Sequence, residues 1–587
     1  MLFRIAPWAL RALPLIATIV AVSSITDSVR GQEIEQWNPG DRYRYLPRLP
    51  QGNENPPPLP RTETEVTGPR KVLVDELRGV VVLDHPDRVV DGKLDVTGIQ
   101  IQADASLELA RTAGFRRIVN RYIGGEVSIF RLNQMVRDII VYYRDNDEPV
   151  VDVSVPQQDI TDGVVQIIIT EARVGKVIVR GPCYFDPQNL LNQVCISPGD
   201  AIYESVLLED QRWLIRNPFR DVELELTPGK NRGQTDVIFN VRDRKPVRIY
   251  AGYEDTGNRT TGLERTIYGF NWYNALNKDD QFGYQYTASS DFSTVGVHSG
   301  IYSWATLNRD IWTIYGTYGQ VDVPPFFGPA NEGVFWQTSI RWNRELCPRG
   351  CYEHGIQAGF DFKNTNTSLD FGGVFVGAND ADIIQFMIGY NGRKYDNLGS
   401  THFALDIYGS PGGLSGKNND TAFQGVTPHA KASYAYGRGF FERRFWMPRC
   451  TELVTRVTGQ LTHTNLLPPE TLGLGGYNSV RGYDQYTYAA DSGFFVNLEW
   501  WSPSYYCLFG DDELRFFTFF DIGEGYQHSQ ISGLPNSVGM AAVGLGARYQ
   551  LGRSMSLRAD YGYQLRDAPT VLPQPDSRFH IGLIFSY

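Results

Sequence analysis

Near the end of the chain, an arginine and an aspartate stand in two short motifs whose chemistry predicts an ion pair. Arg481 lies in Val480-Arg481-Gly482-Tyr483, within a glycine-rich stretch, and Asp521 lies in Phe519-Phe520-Asp521-Ile522-Gly523, on a segment of alternating polarity. A buried arginine is tolerated only with an anionic partner. We therefore expect Arg481 on a long loop to pair with Asp521 on a strand wall and latch that loop. The alternatives are a solvated loop arginine and a carboxylate at a strand end.

Such a latch favours a transport pore over an enzyme, and no other residues form a recognisable catalytic or ligand site. Gly473, Gly475 and Gly476 superficially resemble a phosphate-binding loop, but no Gly-Lys-Ser/Thr sequence follows them. The eight histidines show no metal-ligand spacing. The net charge of −11 argues against a nucleic-acid partner, which would need a basic stripe. The sequence therefore predicts no catalytic residue, no metal ion and no cofactor.

The first 31 residues are predicted to be a signal peptide. Arginines precede an apolar run from Leu13 to Val22, and small residues follow it. Cleavage after Ser24 and cleavage after Gly31 both fit this pattern. The run is too short to span a membrane as a helix, and no later stretch of about 18 apolar residues occurs. Residues 32–70, rich in proline, asparagine, glycine and charge, are predicted to be a linker.

Between about residues 71 and 245, a mixed α/β pattern occurs twice and predicts two small βααββ units, at 71–173 and 174–245. The first is marked by an opening strand, a helix face and two closing strands: Val72 to Leu83; Leu132, Val136, Ile140 and Tyr143; Pro149 to Val155; Val164 to Thr170. The second repeats that order in shorter form: Gly175 to Val179, Glu204 to Ile215, Asp221 to Leu226 and Thr235 to Val241. Fold alone says little about the function of such units.

Residues 246–587 lose helical periodicity and alternate in polarity, which predicts a β-barrel of about 16 antiparallel strands. One late segment sets Leu514, Phe516, Thr518, Phe520 and Ile522 against Arg515, Phe517, Phe519, Asp521 and Gly523. An apolar face opposite a polar one is typical of a barrel with lipid outside and a wet lumen. A soluble barrel has the opposite sense, but the export signal and the terminal aromatic residue favour the membrane. Sixteen strands leave an aqueous channel.

An even number of strands places both ends of the barrel on one side, next to the α/β units. The loop that carries Arg481 then connects strands 11 and 12 on the other side. Alternate residues of a strand face the same side of the barrel wall. Counted in this way, Arg456, Glu499 and Arg515 face the lumen as Asp521 does, so we expect them to extend its charge network. The six cysteines in an exported chain favour structural disulfides; they occur as Cys183/Cys195, Cys347/Cys351 and Cys450/Cys507.

Together these motifs resemble the outer-membrane transporters of two-partner secretion (TpsB type, ShlB/FhaC/HecB-like), which are relatives of the BamA insertase. The resemblance covers nearly the whole mature chain. It rests on five features in order: Val155-Pro156-Gln157-Gln158-Asp159-Ile160 with Asp162-Gly163; Gly252-Tyr253-Glu254-Asp255-Thr256-Gly257 with Thr261-Gly262 and Arg265; Val480-Arg481-Gly482-Tyr483; Phe520-Asp521-Ile522-Gly523; and Tyr587.

The resemblance implies that the α/β units are POTRA domains in the periplasm of a diderm bacterium and that the barrel spans its outer membrane, in contact with lipid. The POTRA domains would capture an unfolded, large β-helical partner (TpsA type) by strand addition, and the barrel would translocate it without ATP. Tyr587 would be read by the barrel-assembly machinery. Some related proteins plug the pore with a helix at the position of residues 32–70, although this segment has no helical period.

Other functions compatible with the pattern are a BamA-like assembly factor, a passive porin or ligand-gated importer, and an enzyme. BamA-type proteins usually carry more POTRA domains and lack the junction from Val155 to Gly163. A simple porin would leave the α/β repeats unexplained. An enzyme would require a catalytic constellation that the sequence does not show.

Overall fold

A computed structural model of the chain describes residues 66–587, apart from 104–106, 260, 324–330, 368–375, 507–511, 532–534 and 569–573. The predicted signal peptide at 1–31 and most of the predicted linker at 32–70 lie outside the described residues. The last linker residues run against the helix that begins at Ile129. Asn133 donates a 2.6 Å hydrogen bond to the Thr67 carbonyl, and the Arg70 guanidinium lies 4.8 Å from the centre of the Phe130 ring.

The first N-terminal unit is a four-stranded sheet covered by two helices. Its elements are β1 (Val72–Val74), β2 (Gly79–Leu83), β3 (Gly98–Gln102), α1 (Ala113–Val119), β4 (Val127–Ser128), α2 (Ile129–Asp145), β5 (Val151–Ser154) and β6 (Val164–Glu171). The sheet order is β3–β2–β6–β5, and β1 pairs with β4 separately. Helix α2 buries Met135, Ile139 and Tyr143 in the core, at the spacing of one helix face. Leu132, Val136 and Ile140 pack beside them.

The opening strand predicted from Val72 to Leu83 is in fact two strands. Residues 75–78 connect β1, which pairs with β4, to β2 in the four-stranded sheet, and Leu77 turns into the core between them. The Leu77 N–H donates to the Gly125 carbonyl, and the Arg78 N–H donates to the Gly163 carbonyl, both at 2.7 Å. These bonds replace the ladder bonds that a continuous strand would make. The polar residues Asp75, Glu76 and Arg78 mark the break between the two strands.

The second unit has the same layout in a smaller form. Its elements are β7 (Arg173–Arg180), α3 (Pro187–Leu191), α4 (Glu204–Ile215), β8 (Arg220–Pro228) and β9 (Gln234–Asp243). The sheet order is β7–β9–β8, so β8 forms one edge. Helix α4 has the bounds predicted from the sequence, and it buries Leu207, Leu214 and Ile215 in a core of its own.

A residue of the first unit caps a helix of the second. Tyr203, at the N-cap of α4, supplies no side-chain cap. Asp147 takes that place: its carbonyl accepts the Glu204 N–H at 2.9 Å, and its carboxylate accepts the Ser205 N–H at 2.7 Å. The carboxylate also benefits from the positive end of the helix dipole. This cap joins the two units at a defined angle.

The rest of the chain forms a closed antiparallel barrel of sixteen strands, which confirms the predicted fold class. The strands are β10 (Val247–Glu254), β11 (Arg265–Tyr273), β12 (Gln281–Ser289), β13 (Val295–Ala305), β14 (Asp310–Val323), β15 (Asn331–Arg349), β16 (Tyr352–Thr367), β17 (Val376–Asp396), β18 (Gly399–Pro411), β19 (Ser433–Met447), β20 (Thr451–Thr462), β23 (Ser492–Trp501), β24 (Asp512–Tyr526), β25 (Ser537–Leu551), β26 (Met555–Gln564) and β27 (Ser577–Ser586). A short helix, α5 (Asp420–Val426), lies in the β18–β19 loop.

Side chains alternate between the two sides of the barrel wall as predicted. Along β24, Phe516, Thr518 and Phe520 are exposed, whereas Phe519 and Asp521 are buried. Apolar outward faces and polar inward faces are the pattern of a barrel in lipid. None of the helices in the described part of the chain has the length and apolar character to cross a membrane.

The second unit is fixed to the end of the barrel at which β10 begins, here called the proximal end. Arg220 on β8 makes two bonds, of 2.8 and 2.7 Å, to the carboxylate of Asp279 in the β11–β12 turn, and both side chains are buried. Asn217 donates to the same carboxylate at 2.9 Å. Burial alone would raise the pKa of Asp279, but Arg220 and Arg216 hold it below its ordinary value.

Two further proximal turns hold the same unit. Arg309, in the β13–β14 turn, pairs with Asp210 and, at 3.1 Å, with Glu209, both on α4. Arg212 of α4 lies 3.4 Å from Glu353 at the start of β16. The second unit is thus attached to three consecutive turns of the barrel.

Residues 463–491, which connect β20 and β23 at the distal end, fold back inside the barrel and are here called the lumenal loop. The loop contains a 3₁₀ turn (Pro468–Glu470) and a short hairpin of β21 (Leu472–Leu474) and β22 (Tyr488–Ala490). All its residues from Thr464 to Asp491 are buried or half-buried. The loop is therefore packed against the inner wall rather than exposed to solvent.

Candidate functional site

The structure brings Arg481 and Asp521 together inside the barrel. Arg481 Nε lies 2.8 Å from Asp521 Oδ2, and Nη2 lies 2.8 Å from Oδ1. The backbone N–H of Arg481 also donates to Oδ2, at 3.0 Å. A parallel pair of N–H···O bonds fixes both the direction and the position of a guanidinium. The loop motif is therefore held to the wall at one point in one orientation.

The neighbouring strand supplies two more partners for this pair. Asn497 stands opposite Asp521 in the β23–β24 register, and its amide donates to Asp521 Oδ1 at 2.8 Å and to the Ser479 carbonyl at 2.6 Å. Glu499, two residues further along the same face, accepts from Arg481 Nη1 at 2.8 Å. Asn497 was not predicted, although it lies on the same lumen-facing side of its strand as Glu499.

Aromatic and charged side chains of the wall complete the surroundings of Arg481. Its guanidinium carbon lies 3.7 Å from the centre of the Phe519 ring, a cation–π contact from which water is excluded. Asp560 on β26 lies 4.0 Å from Arg481 Nη1 and makes two 3.0 Å bonds with Arg548. The roles of Phe519 and Asp560 could not be predicted from the sequence, because many other strand residues also face the lumen.

Of the three residues predicted to extend the network, Arg456 and Glu499 lie next to Arg481. Glu499 accepts from Arg456 Nη1 at 2.8 Å as well as from Arg481, and Arg456 Nε lies 2.6 Å from Glu442 on β19. Two arginines and two glutamates thus alternate across strands β19, β20 and β23 and the loop. Alternation of sign is what allows so many charges to be buried together.

Arg515, the third predicted residue, does not contact Arg481. It lies six residues before Asp521 on β24, roughly 20 Å away at about 3.3 Å per strand residue. There it binds Glu452 at 3.0 Å. Glu452 also binds Arg444 at 3.1 Å, and Arg444 lies 3.7 Å from Glu442. Arg515 is therefore the proximal end of a longer row of alternating charges rather than part of the latch.

The other three residues of the loop motif serve its packing. Val480 is fully buried among the apolar side chains that the loop shares with β23 and β25. Gly482 has φ +92, a conformation that favours glycine, and its carbonyl accepts from Gln564 at 2.7 Å. The Tyr483 hydroxyl lies 3.0 Å from the Ala541 carbonyl and donates to the Arg566 carbonyl at 2.6 Å. The motif therefore touches strands β23 to β26.

In the wall motif, only alternate residues face the loop. Phe520 points outward and is exposed, so its place in the motif belongs to the outer surface. Gly523 faces inward, where a Cβ would lie 3.0 Å from a Val480 methyl group and 3.1 Å from Phe495 Cβ. The absence of a side chain at Gly523 lets the loop lie flat on β24.

Asp484, directly after the loop motif, is a further anchor that was not predicted. Its carboxylate pairs with Arg578 on β27 and with Arg259 in the β10–β11 loop. Arg578 also donates to the Asp255 carbonyl at 3.1 Å. The acidic residue beside Tyr483 is the sequence signal that could have indicated this contact. The loop is thereby tied to the first and last strands of the barrel as well.

The remaining predicted residues lie elsewhere. Tyr587 pairs its backbone with Ile249, through bonds of 2.8 and 3.0 Å, while its side chain is 99% exposed. No disulfide joins Cys183, Cys195, Cys351 and Cys450, which are exposed free thiols. The backbone amides of Cys183 and Cys195 bind different carboxylates, Asp243 and Asp210. The structural disulfides expected from the sequence, whose pairing was left open, are therefore not formed at Cys183 and Cys195. The side chains of Cys347 and Cys507 lie outside the described residues.

The site can hold a loop but shows no arrangement for bond-making chemistry. Every acidic oxygen near Arg481 is bonded to an arginine, an asparagine or a backbone N–H. Among the described residues, no group of histidine, cysteine, aspartate or glutamate could hold a metal ion. What the geometry provides is a strong, oriented attachment between a loop and the wall of a channel.

Comparison with known proteins points to the same conclusion. The model of the family described as haemolysin secretion/activation protein ShlB/FhaC/HecB matches residues 233–549, more than half of the chain, and that of the ShlB-type POTRA domain matches 94–172. The heme/hemopexin transporter protein HuxB of Haemophilus influenzae is 22% identical over 77% of this chain and 80% of its own. The outer membrane transporter CdiB of Escherichia coli is 22% identical over 59% of each chain.

Solved structures share the fold. CdiB from Escherichia coli superposes with a TM-score of 0.67 at 17% identity, covering 91% of this chain and 94% of that one. CdiB from Acinetobacter baumannii gives 0.56 at 14% identity, covering 99% and 97%. Because the matching family model and the curated relatives are secretion proteins and outer-membrane transporters, the barrel lies in the outer membrane with the POTRA region in the periplasm, and the protein exports a partner protein. The chain belongs to the haemolysin secretion/activation protein family ShlB/FhaC/HecB.

Proposed function

We propose that the two N-terminal units capture an unfolded exported partner by strand addition and pass it directly into the barrel. The observation that carries this proposal is the position of β8. It is the longest of the four edge strands in the two sheets, and the unit to which it belongs is bound to three proximal turns. An extended segment added to such an edge gains main-chain hydrogen bonds without needing a fixed sequence.

The partner that best suits this route is a large secreted β-helical protein. Its own strands are compatible with edge addition, and its folding outside the cell would oppose return through the channel, because return would require unfolding. Translocation then needs no nucleotide. Two of the relatives carry the names of a heme/hemopexin transporter and of an outer membrane transporter, and we infer the same general role of transport here.

The exposed side chain of Tyr587 supports a further role for the chain terminus. Its backbone already pairs with β10, while the aromatic ring remains available. We infer that this ring is the feature read by the barrel-assembly machinery during biogenesis. A function as an assembly factor of the BamA type is less supported, because the matching family model and curated relatives are secretion proteins and transporters.

Deletion of residues 71–244 tests the capture step. The shortened protein should still give a heat-modifiable barrel, and secretion of the partner should be lost. A photo-crosslinker placed at Glu225 on β8 should capture the partner in the full-length protein, whereas one at the exposed Lys176 on β7 should capture much less. Normal secretion by the deletion variant would show that the barrel acts as a simple pore. The gene beside this one is the first place to look for the partner.

A further inference from the structure

The lumenal loop has a second buried ionic contact, far from Arg481. Glu470, at the end of the 3₁₀ turn, is 1% exposed. Its carboxylate lies 2.7 Å from Lys363 Nζ on β16 and 3.1 Å from Gln385 Nε2 on β17. The hydroxyl of Tyr436 on β19 also donates to it. Three strands of the wall thus converge on one carboxylate of the loop.

The wall at this place is built to receive a negative charge. Lys363 and Arg341 bring two positive charges, whereas Asp361 brings one negative charge; all three side chains are at least nine-tenths buried. Asp361 is already occupied by Arg341 at 2.6 Å, by Ser339 at 2.6 Å and by Gln385 at 2.8 Å. Lys363 is 3.9 Å from Asp361 but 2.7 Å from Glu470. Only with Glu470 in place is the cluster neutral.

Apolar packing supports the same contact. Leu466 and Leu467, just before the turn, are buried with Tyr434 and Tyr436 of β19 and with Phe423 of α5. The Glu470 carbonyl accepts from Gln460 on β20 at 3.0 Å. The part of the lumenal loop from Leu466 to Glu470 thus packs against the wall formed by β16 to β20, and the distal β18–β19 loop covers it.

The two ionic contacts hold the loop at widely separated positions of the wall. Lys363 is on the seventh strand of the barrel, Asp521 on the thirteenth and Asp560 on the fifteenth. Attachments six and eight strands apart in a ring of sixteen span from more than a third to half of the circumference. Only eleven residues separate Glu470 from Arg481. The loop between them is kept within the lumen and cannot retreat to one side.

The two contacts differ in strength. Arg481 is held by a bidentate bond, a second carboxylate and an aromatic face. Glu470 is held by one ammonium, Lys363, which binds as a point charge, and by the uncharged donors Gln385 and Tyr436. We propose that Glu470 is the releasable anchor that keeps the lumenal loop closed over the channel, while Arg481 remains its fixed anchor. This inference rests on the proposed role of the barrel as a conduit.

Single-channel recording of the full-length protein in planar lipid bilayers tests the anchor. Glu470→Gln and Lys363→Met should each raise the open fraction by about tenfold or more, since a tenfold change in an equilibrium corresponds to ~1.4 kcal/mol. The double variant Glu470→Gln/Lys363→Met should open no more than either single variant, because each single substitution already removes the same contact. Heat-modifiability of each variant shows that its barrel is folded.

Lys417→Gln is the matched control, because Lys417 and Asp380 form an ion pair that is largely exposed to solvent. This variant should conduct like the wild type. Unchanged conductance in both single variants, or a double variant in which the two effects simply add, would overturn the proposal. Failure of the proposed function would be separate: the wild type would then not secrete the partner, whatever the conductance of the variants.

Discussion

Gly562 on β26 touches the backbone of Gly482 in the loop motif: a Cβ on Gly562 would lie 2.6 Å from the Gly482 nitrogen and 2.8 Å from its Cα. Position 562 has no side chain, and the backbone of the loop occupies the space that one would need. The latch therefore depends on a residue outside both charged motifs.

Gly562→Ala should displace the loop motif from the wall and reduce partner secretion strongly, because a methyl group cannot fit against backbone atoms at that distance. Secretion by cells, measured against the amount of folded barrel in the outer membrane, checks the prediction. Gly439→Ala is the matched control, since Gly439 also lies on a barrel strand but has open space around its Cβ position. Equal secretion by the two variants would contradict this account of the wall.

Arg481→Ala should sharply reduce secretion while barrel insertion is largely retained. The substitution leaves Asp521 buried without its main cation, a change that typically costs ~3–5 kcal/mol, whereas Glu499 keeps Arg456. Arg481→Lys should recover little, because an ammonium cannot make the bidentate bond to Asp521. Arg553→Ala, in an exposed turn, is the control. Wild-type secretion by Arg481→Ala would remove the latch hypothesis.

Arg220→Ala should weaken the attachment of the second unit to the β11–β12 turn of the barrel. Asp279 would remain buried without its closest partner, at a cost of roughly 3–5 kcal/mol. Hydrogen exchange in the β11–β12 turn and in α4 should speed up in the detergent-solubilised protein. The neighbouring pair of Arg242 and Glu223 is exposed, so Arg242→Ala should change stability by no more than about 1 kcal/mol. Equal exchange in both variants would show that the buried pair does not hold the interface.

The first unit should become less stable as the pH rises from about 4.5 to about 7. Burial, and then the nearby Glu148, raise the pKa of Glu171 from 4.5 to about 7. The native unit therefore binds more protons than the unfolded chain within that range, and its free energy of unfolding falls with rising pH. Urea unfolding followed by helical circular dichroism measures this. Glu171→Gln should reduce the dependence and stabilise the unit above pH 7, with a residual slope from Glu148, whose pKa burial also raises. An unchanged slope in the variant would assign the effect to another group.

The sequence predicted those features whose signal is local or repeated. The helix from Glu204 to Ile215 has apolar residues at helical spacing, and barrel strands such as β24 alternate between buried and exposed side chains. The short strand β3 was not predicted, because five residues with two isoleucines do not distinguish a strand from a loop.

A contact between distant residues could be predicted only where each partner stands in a recognisable motif. Arg481 and Asp521 each stand in a recognisable motif, so their pairing could be inferred. Glu470 and Lys363, 107 residues apart, share only burial and lumen-facing position with many other residues. The alternation of side chains along the strand also led to Arg515, although this residue lies at the proximal end of β24. That alternation shows which side of the wall a residue faces but not how far along the barrel it lies.

The cap that Asp147 places on α4 has a consequence for how the partner is guided. The first unit is tied to the second by that cap, and the second is bound to three turns of the barrel. These contacts connect the two units and the channel in series, so the first unit reaches the barrel only through the second. In the proposed capture, a segment added to β8 is oriented relative to the channel mouth by the same three turns that hold the second unit.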